Sequence, residues 1–222
     1  MDSSGSSSPK SSKNHFLMLK FLRFGFSIIL LSILFIGIFQ NSLHFFIYLT
    51  NWGLTLTALY FVVSSISYYY SKYMPISVIL FETVWCIGWC IFVVFWGVVG
   101  PLKGHHVIAD VLLHILPIVL VIIDFLLNEI LMTRKHAIFP IGVSIIYLVF
   151  INIPYSIAIH EVYPLMNYKN IWTYLILFLS LSVQVFSLEI GIWIKRRQIG
   201  NQRILELELE NAKVVSTSPS VA

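Results

Sequence analysis

A threonine hydroxyl becomes a useful nucleophile when an imidazole takes its proton, and such a pair can cleave an ester. Thr50 and His114 could meet in that way. Asp110 stands four residues before His114 and could orient the ring, and Asn51 is a candidate donor to a developing oxyanion. His160 and Glu161 belong near the same surface. The same neighbourhood admits a metal reading: His106, Asp110 and His114 recur at four-residue spacing, and with His160 they could hold zinc and activate water. It also admits a plain reading, in which Thr50 bonds its own helix and His114 ties helices together. A second group of acids and amides, Glu82, Asp124, Asn128 and Glu189, joins His136 in a layer expected to form one hydrogen-bonded cluster. Embedded acids can relay protons in a transporter, but no inverted repeat or matched pair of broken helices accompanies them here.

Such residues need an apolar scaffold, and the chain supplies one. Of its 222 residues 58% are hydrophobic and 11% charged, against about 25% charged in soluble domains. The excess apolar surface must face lipid. The expected fold class is all-α, an integral membrane bundle of six transmembrane helices over residues 22–40, 44–66, 77–99, 108–132, 137–159 and 171–194. Residues 1–20 read as a disordered Ser-rich cytoplasmic tail, 21–195 as the transmembrane domain, and 196–222 as a cytoplasmic tail that is partly helical. The first apolar stretch lacks a small-x-small cleavage site and reads as a retained helix. Twelve Lys and Arg fall in the tails and alternate loops of one side, against Lys103 and Lys169 on the other, so both tails are expected in the cytoplasm. Cys86 and Cys90 share a helix face whose geometry disfavours a disulfide. The aromatics lie inside apolar spans, which argues against a nucleic-acid surface.

Orientation gives the candidate residues a depth. In the fourth span Asp110, His114, Pro117, Val121, Asp124 and Asn128 follow spacings of 4, 3, 4, 3 and 4, one face of a helix and too polar to meet lipid. His114 lies about six residues in from the outer surface, or roughly 9 Å. Thr50 lies at a similar depth if the second span begins at His44. The pair therefore shares an outer-leaflet layer, and the acid-rich group sits toward the cytoplasm.

Several segments resemble one group of membrane proteins. Tyr48-Leu49-Thr50-Asn51-Trp52-Gly53 resembles the YLTNWG motif of the rolling stone family of myoblast-fusion proteins. The wider grouping includes the androgen-induced proteins and the androgen-dependent regulator of tissue factor pathway inhibitor. His114 stands ten residues before Asp124, as a His precedes an acid in that grouping. The segment from His136 to Pro140 resembles its H-x-x-Y-P, with Phe139 for Tyr. The segment from Val162 to Tyr168 resembles its IYPVLDW, with Asn167-Tyr168 for Asp-Trp. The resemblance covers about residues 44–170. It implies a threonine hydrolase of branched fatty-acid esters of hydroxy fatty acids, with Thr50 as nucleophile and His114 as base, no cofactor, and membrane lipids as partners in the plasma membrane or endoplasmic reticulum. The rolling stone branch implies instead a non-enzymatic protein of cell contact or fusion. A proton-coupled transporter is the third alternative.

Overall fold

The computed structural model describes residues 10–99, 107–159, 162, 163, 166 and 168–217. Every regular element among them is helical. Helix α1 (Lys10–Asn41) is followed by a 3-10 turn (Ser42–Ile47) and α2 (Leu49–Ser67). Helix α3 (Met74–Val94) runs on as a π turn (Phe95–Val99). Then come α4 (Val107–His114), α5 (Leu116–Leu127), α6 (Ile138–Tyr147), a second π turn (Leu148–Asn152), α7 (Ile153–Ala158) and the long α8 (Ile171–Thr217). Five of the helical stretches are long and apolar enough to cross a membrane, and Val111–Leu127 forms a shorter apolar one.

The apolar runs fold into a bundle around α3. A helix flanked on all sides loses its amphipathic stripe and is apolar all round, and in α3 every residue from Phe81 to Ile87 is buried. Helices α2, α5 and α8 pack against it. Trp85 stacks on Phe125 with ring centroids 4.2 Å apart, and its indole N–H donates to the carbonyl of Ser187 at 2.8 Å. Peripheral helices show the stripe. In α1 Leu19, Arg23, Ser27 and Leu30 face inward, while Phe21, Phe24, Phe35 and Phe39 are exposed, as expected of a lipid-facing surface.

The fourth apolar stretch departs from the expected unbroken span over 108–132. It breaks at Ile115, two residues before Pro117, because proline lacks the N–H for the preceding turn and its ring crowds the carbonyl four residues back. It also ends early. Asn128 leaves the helix with ψ 160°, and residues 128–133 run without helical structure. Irregular backbone survives at membrane depth only where protein satisfies its polar groups. Here Asn128 Oδ1 accepts from Ile130 N at 3.0 Å, and Glu82 Oε1 accepts from Thr133 N at 2.8 Å. The Lys195 ammonium, fully buried, donates to the carbonyls of Phe125 and Asn128. These are the orphan acceptors at a helix C-terminus, where the backbone dipole also favours a cation. Residues 1–9 of the Ser-rich tail lie outside the described residues, and α1 already begins at Lys10. Helix α8 carries the chain from the bundle to Thr217.

Candidate active site

Thr50 sits in the first turn of α2, earlier in its helix than an onset at His44 would place it. The preceding residues form the 3-10 turn, and Tyr48 takes extended backbone angles before α2 begins. Several bonds fix this entry. Asn51 Nδ2 donates to the Phe45 carbonyl at 2.6 Å, and Trp52 Nε1 donates to that of Phe46 at 2.8 Å. The Tyr147 hydroxyl donates to Ile47 O at 2.7 Å. Leu49 N donates to the Tyr163 hydroxyl at 2.9 Å. The Asn51 amide N–H therefore holds the turn and is not turned toward Thr50 as an oxyanion donor.

His114 ends α4, just before the break that Pro117 imposes. Its Nε2 lies 3.2 Å from Thr50 Oγ1, hydrogen-bond distance for a hydroxyl and a ring nitrogen. The imidazole is stacked on Phe95, with centroids 3.5 Å apart and planes within 11°. Phe95 opens the π turn of α3, an irregularity that often marks functional places in helices. Asp110 lies one turn before His114 on α4. The side chain of Asp110, and His106 and His160 altogether, lie outside the described residues. Among the described residues no group of three His, Cys, Asp or Glu could hold a metal ion.

A cavity of about 150 Å³ opens beside Thr50. Its walls are mostly apolar, among them Leu49, Ile91, Val94, Leu148 and Ile176. Along α8 it touches Ile176, Ser180 and Gln184, eight residues of helix and so roughly 12 Å of length. Chemically this suits an alkyl chain laid beside a nucleophile, since burial of apolar surface gives about 25 cal/mol per Å².

Sequence reasoning missed four residues in and behind the wall of this cavity. Tyr163 lines it, and its hydroxyl interacts with those of Tyr147 and Thr50. Burial and the adjacent Tyr147 hydroxyl hold the Tyr163 phenol well above the usual tyrosine range, so it remains a neutral donor at physiological pH. Asn152, fully buried in the π turn, donates to the Tyr147 hydroxyl at 3.3 Å and accepts from the Tyr168 hydroxyl. Tyr168 has φ 56°, a left-handed conformation rare outside glycine and asparagine. The signal that could have found Tyr147 and Asn152 is a polar pair five residues apart inside an apolar span.

The acid-rich layer is not the single cluster expected from sequence. Asp124 is bound by Arg23, whose Nε lies 2.6 Å from Oδ1 and Nη2 3.1 Å from Oδ2, by the Tyr60 hydroxyl, and by Asn128 Nδ2 at 2.9 Å. Glu82 pairs separately with His136 Nδ1 at 2.6 Å. Glu189 pairs with Arg134 at 2.7 and 2.8 Å near the surface. Each carboxylate takes a nearby donor: Arg23 comes from α1, while Arg134 and His136 both come from the 3-10 turn Arg134–Ala137. The cavity beside Thr50 reaches none of these acids, so they stand apart from the site as ties between helices. Compared with models of protein families, with curated proteins and with solved structures, the chain gives no match.

Proposed function

We propose that this chain is a six-span membrane protein, with both termini in the cytoplasm, that hydrolyses the ester bonds of lipids taken from the outer-leaflet half of the bilayer. One observation carries the reading: the Thr50 hydroxyl lies 3.2 Å from His114 Nε2 at the wall of an apolar cavity of about 150 Å³. The resemblance to the androgen-induced and rolling stone proteins supports it and suggests branched fatty-acid esters as substrates.

In this mechanism Thr50 Oγ1 attacks the ester carbonyl while His114 Nε2 takes its proton. That role requires the tautomer with the proton on Nδ1. The tetrahedral oxyanion collapses, the alcohol leaves with the proton from His114, and the acyl group stays on Thr50 as an ester. The Tyr163 hydroxyl, which lines the cavity and interacts with Thr50, is the donor assigned to the oxyanion. Its replacement, Tyr163→Phe, is expected to lower kcat by about 10²-fold, the effect of removing one such donor. A Tyr163→Phe protein with the wild-type kcat would remove the residue from the mechanism.

The assignment is tested by covalent labelling. A fluorophosphonate bearing an alkyl chain should phosphonylate Thr50 Oγ1 with loss of fluoride, and mass spectrometry of the purified protein should place the adduct on that residue. Labelling should vanish in Thr50→Ala. An adduct on another residue, or labelling unchanged in Thr50→Ala, would overturn the nucleophile.

A further inference from the structure

Thr50 separates two cavities of different size. The larger takes the acyl chain in the reading above. The smaller lies on the His114 side and has a volume of about 10 Å³. A single water needs roughly 10–15 Å³. Thr50, Thr57 and His114 supply its polar wall, and Gly53, Gly88 and Ile118 help to close it. Thr57 Oγ1 gives its proton to the Gly53 carbonyl at 2.7 Å, which leaves its oxygen lone pairs free to accept. A water there would thus have a hydroxyl acceptor, an imidazole and the Thr50 oxygen around it, within the two to four partners a buried water uses. The glycines set the space. A Cβ on Gly88 would fall 2.9 Å from Ile118 Cδ1, and one on Gly53 would fall 2.4 Å from Ile91 Cδ1.

We propose that this smaller cavity holds the water that deacylates Thr50, and that its size makes water the acceptor in place of a larger alcohol. The inference rests on the ester-cleavage reading and fixes the second half of that reaction as hydrolysis, not acyl transfer. The water oxygen attacks the acyl carbonyl carbon, and His114 Nε2 takes one water proton. The bond from that carbon to Thr50 Oγ1 then breaks, Oγ1 recovers the proton from His114, and the free carboxylic acid leaves. An alcohol in the same place would undergo the same steps and give a new ester, so the acceptor is chosen by room alone.

The test uses the full chain in lipid nanodiscs, with a long-chain p-nitrophenyl ester as donor and ethanol added as competing acceptor. Wild-type protein should release p-nitrophenol and return the acyl group as free acid. Ile118→Ala, which enlarges the cavity, should raise the share recovered as ethyl ester by roughly tenfold. Gly88→Ala, whose added Cβ crowds Ile118 at the cavity wall, should show a burst of p-nitrophenol and then a steady rate roughly tenfold slower, with an acyl adduct on Thr50 by intact mass. Ethyl ester formed as readily by wild type as by Ile118→Ala would overturn the inference while leaving ester cleavage intact. So would a Gly88→Ala protein that turns over at the wild-type rate without a burst. No p-nitrophenol release by the wild type would overturn both.

Discussion

Replacing His114 by alanine is expected to lower kcat for ester cleavage by about 10²–10⁴-fold, the range that a positioned general base contributes, with KM nearly unchanged. The split follows from where the two cavities lie. His114 touches the Thr50 hydroxyl and borders the small cavity, but it does not line the large one. Chain binding therefore stays intact when the imidazole goes, and the loss falls on the chemical step. Glutamine at this position can still hydrogen-bond to Thr50 yet cannot carry the proton, so His114→Gln should be nearly as slow as His114→Ala. That comparison separates a base from a helix tie. Steady-state kinetics of both variants in nanodiscs decide the matter: recovery of activity in His114→Gln would leave His114 with a structural role only.

The apolar spans were legible because facing lipid is a local property of about 20 residues. That Thr50 and His114 lie close together was legible too, though the helix onset behind that expectation was misplaced. Counting from His44 placed Thr50 well inside a helix, whereas the 3-10 turn to Ile47 delays the helix and leaves Thr50 in its first turn. His114 meets it there because Pro117 ends α4 just past the imidazole. The polar face running from Asp110 to Asn128 was visible in the spacing, but its division was not. His114 and Asp124 both still meet α2, at Thr50 and Tyr60, but Asp124 is also claimed by Arg23 of α1. Partners of charges were the least legible. Arg23 and Lys195 count as flanking cations when charge is used for orientation, yet both are buried and bind α5. Whether a cation near the membrane edge points outward or inward depends on what stands across the bundle, and no local pattern encodes that. Tyr163 escaped for the same reason, since its role comes from Leu49 and Thr50, which are more than a hundred residues away in the chain.

The largest expected effect on stability belongs to Asp124. Its carboxylate is 1% exposed and Arg23 is 4% exposed, so neither has water to fall back on. With Asp124→Ala the guanidinium keeps the Tyr68 hydroxyl at 3.2 Å as a partner but loses both carboxylate oxygens. Tyr60, fully buried, loses its acceptor as well. Removing one member of a buried pair costs about 3–5 kcal/mol, a large part of the 5–15 kcal/mol that holds a typical protein together. For a chain of this size the melting midpoint in detergent should fall by about 10 °C. Arg23→Leu alone should do comparable harm by leaving the carboxylate unpaired. The double replacement Arg23→Leu with Asp124→Leu should be milder than the sum, because no charge then remains buried and apolar side chains can fill the contact between α1 and α5. A double variant as unstable as the two losses added would mean that the pair contributes through packing alone. Asp124→Asn sharpens the point, for it keeps the shape and one acceptor oxygen while removing the charge and turning the other oxygen into an N–H donor. If that variant melts near the wild type, hydrogen bonds to a single oxygen suffice to hold the helices. If it melts near Asp124→Ala, the charge itself is what Arg23 requires.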